Sequence, residues 1–400
     1  MVAAWHQDLE RMREEYKECL GVILTIDGLQ PEKGHETLYV VRELKKQRVW
    51  FAQPLISSSY EEIRKVIQRA KDLAQQLDKP TRSWVSDKQD AFVTMIAEEC
   101  PNIHHRYCSN HFIRDIAKEV LEKDSHAKVQ MRRKIRGFRT IEKEILAELD
   151  QYQEKEGKLT HEQQTYAANI VLDYCAAIRG ILNDNHGGPL TPSGLRMSKA
   201  LEEVSQSIKR NITLPKTPIY SKLKRLHGYI KRGLSIYYVE QKEIEKYVVE
   251  AKVENTLDSE TGTVKNRLAK FRRLKIRLSM PKDLIKNHMS EIMHSFEAGL
   301  FINDDSLSIP EDNLDLERWF KKPKGHERKI HGHKHVGMRI VNEGPTLLPA
   351  LDAHLLQSNP FTYQDLLPHI YAEPPESQIK SVEHKRVMTK GSSKKKDRIY

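Results

Sequence analysis

Residues 21–41 read GVILTIDGLQPEKGHETLYVV: an apolar run closes on one acid, Asp27, then gives way to glycine, proline and charge. The run itself predicts a buried strand. Asp27 then has two readings. Asp-Gly is a common turn dipeptide, which makes the acid a solvated turn residue. A carboxylate delivered to the end of a strand is also a position from which a metal can be held.

A second stretch has the same form. TRSWVSD, residues 81–87, is a short strand closing on Asp87, 60 positions after Asp27. Between them, ETLYVVREL (36–44) and RVWFAQPL (48–55), parted by the polar KKQ, predict a hairpin. Residues 59–77 set Ile63, Val66, Ile67, Ala70, Leu73 and Leu77 at helical spacing, with SSSYEE as the start signal. A helix over KQDAFVTMIAEEC, the strand-like NIHHRYC and a helix opening near Ser109 follow. The expected fold is α/β, a mixed sheet flanked by helices.

If the strands ending at Asp27 and Asp87 are neighbours, two carboxylates stand side by side and repel, which raises the proton affinity of one. A divalent cation removes that penalty, and oxygen ligands suit Mg2+ or Mn2+. Two such ions about 4 Å apart serve the attacking and leaving oxygens of a phosphodiester. The third acid expected of such a site is Glu317 in EDNLDLERWFKKP (311–323), where a helix puts Asn313 and Leu314 on its face. Each acid taken alone reads as a surface charge.

The bulk numbers agree with an anionic partner. The 400 residues carry a net charge of +11, a pI near 9.2, 38% hydrophobic residues and a mean hydropathy of −0.66. Nucleic acid is the leading partner for such a balance. No apolar run is long enough to span a bilayer, and the amino terminus lacks the pattern of a secretory signal. Cys19, Cys100, Cys108 and Cys175 follow no disulfide framework, which fits a reducing interior.

The expected organisation is a helix or linker over 1–20, a first catalytic part over 21–115, a helical insertion over 116–295, the rest of the catalytic domain over 296–371 and a basic unfolded tail over 372–400. Turn-rich breaks at 183–194 and 211–218 interrupt the insertion. Two stretches within it are rich in cations and free of acids: MRRKIRGFR (131–139), with Arg132 and Arg133, and KNRLAKFRRLKIR (265–277), with Arg272 and Arg273. On helices they form positive ridges fitted to a duplex backbone, with Leu268, Phe271, Leu274 and Ile276 turned inward; the alternative is a solvated face. HERKIHGHK (326–334) brings Arg328, Lys329 and Lys334 after Glu317, as phosphate contacts or as a solvated basic loop. Trp84 and Trp319 read as core, and Lys394, Lys395 and Lys396 as nonspecific attraction.

The chain resembles the catalytic region of bacterial insertion-sequence transposases of the DDE class, in the branch whose third acid lies beyond a long helical insertion. The resemblance rests on IDGLQPEKGHETLYVVREL, WVSDKQDAF, HHRYCSNHFIRDIAK, HAKVQMRRKIRGFRTIE, EDNLDLERWF and GHERKIHGHK, in that order. It covers residues from about 20 to 350. It implies a ribonuclease-H-like domain, a metal-binding triad of Asp27, Asp87 and Glu317 with two Mg2+ or Mn2+ ions, and a homodimer assembled on DNA in the bacterial cytoplasm. The implied activity is cleavage of transposon ends and joining of the freed 3′-hydroxyl to target DNA.

Cys108-x-x-His111 matches a Cys-or-Asp-x-x-His pair of that branch; a zinc site with His104 and His105 is the other reading, and a buried cysteine with a capping histidine the simplest. Two departures stand out: Asn313-Leu314 replaces the usual Asn-Asn, and His331-Gly332 the usual Thr-Gly. Only 26 residues precede Asp27, too few for an upstream helix-turn-helix. The expectation is a truncated chain, or one that finds ends with its insertion and tail. A nuclease or resolvase of the same fold, and a non-catalytic DNA-binding remnant, are the alternatives.

Overall fold

The computed structural model describes residues 1–29, 36–151, 161–188, 191–212, 219–250, 254–257, 262–302, 308–332, 337–355 and 360–373. Two compact units emerge: Met1–Phe112 with Ser295–Tyr400, and Ile113–His294.

The first unit opens with two short helices, α1 (Val2–His6) and α2 (Leu9–Glu15), where the sequence suggested one. Then come β1 (Val22–Leu29), β2 (Thr37–Glu43), β3 (Arg48–Leu55), α3 (Tyr60–Gln76), β4 (Thr81–Ser86), α4 (Asp90–Glu99), β5 (His104–Tyr107) and α5 (Ser109–Ile116). The mixed sheet runs β3-β2-β1-β4-β5: β1 pairs antiparallel with β2 and parallel with β4, and β4 parallel with β5.

Alternation along the strands divides the side chains between two cores. Val22, Leu24 and Ile26 of β1 and Trp84 of β4 pack on one face with Ile63, Val66, Ile67 and Ala70 of α3 and Phe92 and Met95 of α4. Ser59 caps α3 by accepting from the Glu62 N–H. On the other face lie Leu29, Leu38, Val40 and Val49, and beside them Ile23 and Val85. The helical unit supplies α6 (Lys118–Ile135), α7 (Phe138–Gln151), α8 (His161–Asn183), α9 (Ser193–Ile212), α10 (Tyr220–Glu250), α11 (Glu254–Leu257), α12 (Val264–Leu278) and most of α13 (Leu284–Leu300). The chain re-enters the first unit to form α14 (Leu314–Trp319), α15 (Lys321–His331), α16 (Gly337–Leu355) and α17 (Tyr363–Leu366). Leu316, Trp319 and Phe320, with Ile340, Val341 and Leu348 of α16, cover the second face of the sheet. Trp84 and Trp319 are both core residues.

In the helical unit a single carboxylate organises the start of α9. Buried Asp124 of α6 accepts from the Gly194 N–H at 2.7 Å, the Leu195 N–H at 2.9 Å and the Tyr237 hydroxyl at 2.6 Å. It thereby satisfies two of the backbone donors that a helix start leaves open, from a neighbouring helix. Gly194 is obligatory there, since an added Cβ would lie 2.6 Å from Asp124 Oδ1. Among the described residues no helix is long and apolar enough to cross a membrane.

Asp124→Ala orphans three buried donors, so the expected loss is about 3 kcal/mol of stability. Denaturant unfolding of the variant and the unaltered chain measures it.

Candidate active site

Parallel pairing of β1 with β4 sets Ile26 opposite Ser86. One residue further on come Asp27, still within β1, and Asp87, the first residue after β4. Asp27 follows Ile23 and Thr25 on one face of β1, and Asp87 follows Val85, whose neighbour in the core is Ile23. Both acids therefore belong to the face that α14 and α16 cover.

β1 does not end at Asp27. It continues through Gly28 and Leu29, paired with Tyr39 and Leu38 of β2. The turn reading of Asp-Gly is thus corrected: Gly28 is a strand residue. A Cβ on it would lie 2.9 Å from Thr37 Cγ2 and 3.1 Å from Tyr39 Cε1, so the side chains across the ladder exclude anything larger. Asp27 Oδ1 accepts from the Gly28 N–H at 2.7 Å, and Asp87 Oδ1 from the Gln89 N–H at 3.4 Å. Tyr39 senses both acids. Burial holds its hydroxyl proton above the usual range, hydrogen bonds with Gln89 and Ser58 oppose this, and the charges of Asp87 and Asp27 add to it.

The third acid is brought to this face by a set of tethers. Ser109, which opens α5, donates its N–H at 3.1 Å and its hydroxyl at 2.6 Å to the Glu311 carbonyl. Buried Arg106 of β5 donates to the Ile309 carbonyl at 3.1 Å and to Glu311 Oε1 at 3.2 Å. Asn313 then precedes α14, its carbonyl accepting from the Leu316 and Glu317 N–H groups. Leu316 and Trp319 anchor α14 against Leu29 and Val40 of the sheet. Glu317 lies on the helix between these two anchors, its Oε1 3.5 Å from Nε2 of His111. Asn313 lies one turn before it, at the helix start, rather than inside the helix that residue 311 was expected to open.

Cys108 is buried and its N–H bonds the Ser86 carbonyl at 2.8 Å, directly before Asp87. Burial pushes its thiol up to about 11, against the pull of the Asn313, His111 and Asn110 N–H groups, so it stays protonated at neutral pH. Cys108 and His111 thus act on the site from opposite ends of one helical turn, the first behind Asp87 and the second beside Glu317.

Among the described residues no group of three or more His, Cys, Asp or Glu side chains is gathered closely enough to hold a metal ion. The donors nonetheless suit one. Both amide atoms of Asn313 are buried without a hydrogen-bond partner among the described residues, and Glu317 Oε1 is buried with only its 3.5 Å contact to His111. Buried oxygens of this kind are satisfied by a hard cation with its water.

The basic residues after Glu317 lie on a helix, α15, and not in a loop. Arg328 and Lys329 are exposed on it, and Lys334 lies outside the described residues. Lys324 was missed from the sequence. Its ammonium is depressed by burial and by Arg328, while Asp27 draws it back up, which places it near both. The signal was its spacing of four from Arg328, legible only once the segment is known to be helical. In the helical unit Arg132 is half-buried and Arg133 exposed near the end of α6, and Arg272 and Arg273 are exposed on α12. Phe271 and Leu274 of α12 are buried as expected, but Ile276 is 72% exposed, and Arg267 is spent on the Leu257 carbonyl.

His105 couples the site to pH. The Ser86 hydroxyl lies 2.7 Å from the Asp87 carbonyl and 2.8 Å from His105 Nε2. Burial lowers the His105 imidazole to about 4. Between pH 6.5 and about 4 the unfolded chain takes a proton that the folded chain refuses, so stability is full above that window and falls as pH drops through it. His105→Asn is expected to flatten the decline, read as urea midpoints at pH 7.5 and pH 5.

The chain matches no protein-family model and no curated protein.

Proposed function

We propose that this protein is a metal-dependent polynucleotidyl transferase of the DDE transposase type, built on a ribonuclease-H-like domain, that cleaves transposon ends and joins the 3′-hydroxyl to target DNA. The observation that carries this reading is the parallel register of β1 and β4, which sets Asp27 beside Asp87 on the face to which α14 brings Glu317. The net charge of +11 and the exposed cations of α12 and α15 suit a polyanionic substrate.

Asp27, Asp87 and Glu317 would hold two Mg2+ or Mn2+ ions, which when bound supply Lewis-acid activation of an attacking oxygen and stabilisation of the leaving one. The remaining work falls to the chain's own residues. His111 orients the Glu317 carboxylate through the 3.5 Å contact. Cys108 packs the strand end behind Asp87, keeping that backbone dry and fixed. Lys324, whose ammonium feels the charge of Asp27, would supply positive charge to a scissile phosphate. Arg328, Lys329 and the cations of α12 contribute affinity without reading sequence.

Asp27→Asn, Asp87→Asn and Glu317→Gln are each expected to lower Mg2+-dependent strand cleavage roughly 10³-fold or more, about 4 kcal/mol of barrier. A gel assay with end-labelled duplex and a plasmid target measures both cleavage and joining. Cleavage that survives intact in all three variants sinks the triad. His111→Ala should cost roughly 10- to 100-fold, the usual scale for a residue that orients a metal ligand, with near-normal duplex binding.

A further inference from the structure

The junction of α6 and α7 holds a basic cleft that the catalytic reading leaves unused. Arg132, Arg136 and Arg139 recur at spacings of four and three, on one side of an almost continuous helix. Arg136 keeps helical angles (φ −49°, ψ −23°), and its N–H bonds the Arg132 carbonyl at 3.1 Å. Arg179, Leu182 and Asn183 of α8, with Phe138 of α7, complete the lining. The cleft has a volume of about 30 Å3. That is room for roughly two water molecules, which suits a tetrahedral oxyanion and not a nucleobase.

The charges are left unbalanced. Arg179 pairs with Glu142, but among the described residues Arg132, Arg136 and Arg139 have no carboxylate partner. Lys128, one turn before Arg132, has its ammonium depressed by burial and then by the charge of Arg132. Arg136 and Arg139 are exposed and Arg132 half-buried, and buried Phe138 and Leu182 line the same cleft.

The cleft is also rigid. A Cβ at Gly137 would lie 2.2 Å from the Tyr229 ring, and one at Gly233 would lie 2.4 Å from Ile135 Cγ1. These two glycines let α10 press onto the junction that carries Arg136 and Arg139.

We propose that this cleft is a phosphate site, in which Arg132, Arg136, Arg139 and Arg179 grip one phosphate group through forked, charge-assisted hydrogen bonds. The phosphate belongs either to a nucleic-acid backbone or to a free phosphate; only the first source rests on the proposed DNA chemistry.

The test uses the full chain, the double variant Arg136→Glu/Arg139→Glu, and a control, Lys118→Glu, exposed on α6 outside the cleft. One arm measures the rise in melting temperature with inorganic phosphate at fixed ionic strength. The other measures duplex affinity against salt. A loss of duplex affinity of about 10-fold beyond the control, with a salt slope shallower by about one phosphate, assigns the group to the DNA backbone. Loss of the phosphate-induced stabilisation alone assigns it to a free phosphate. A variant indistinguishable from the control in both arms overturns the proposal. Arg139→Gln replaces the double variant should that chain fail to fold. Both arms read binding, so loss of the proposed cleavage chemistry and loss of this site are separately visible.

Discussion

Everything at the candidate active site depends on one pairing, the parallel ladder between β1 and β4. Its register sets Ile26 against Ser86, and the residue after each is an acid. A shift of one position would turn Asp87 to the opposite face, into the core formed with α3 and α4. The register is held from both sides. Val22, Leu24, Ile26 and Trp84 are buried on one face, and Ile23 and Val85 on the other. Strands buried on two faces have no solvent side to slip toward, so the register that precedes Asp27 and Asp87 is held.

The rest of the site is hung on that frame by polar tethers. Arg106 and Ser109 hold the approach to α14 through backbone carbonyls, which fixes where the helix starts whatever side chains follow. Leu316 and Trp319 then press the helix onto Leu29 and Val40. The division of labour is physical: hydrogen bonds to the backbone give direction, and apolar burial, about 1.5–3 kcal/mol for each large side chain, gives adhesion. Between the two anchors Glu317 faces His111, and Asn313 is buried without a partner for its amide among the described residues.

The helical unit follows different rules. Its polar interior is centred on Asp124, whose three hydrogen bonds join α6, α9 and α10. Its glycines mark close helix approach: Gly233 meets Ile135, and Gly137 meets Tyr229. Four of its arginines line one small cleft, and of these Arg179 pairs with Glu142.

The sequence by itself determined the order of the elements, the helical periodicity of Ile63 to Leu77, the mixed sheet, the two strand-borne acids and the core roles of Trp84 and Trp319, because burial patterns are local and repeat along the chain. Tertiary structure alone decided what those elements meet. Gly28 reads as a turn until Tyr39 is seen across the ladder; the basic residues Arg328 and Lys329 read as a loop until α15 makes them helical; Ile276 reads as core until α12 leaves it in solvent. Glu317 could be named from its surroundings, but its contact with His111 joins residues 206 positions apart in the sequence. No periodicity encodes such a distance, since it is set by the packing of α14 on the sheet and by the carbonyls that Arg106 and Ser109 hold.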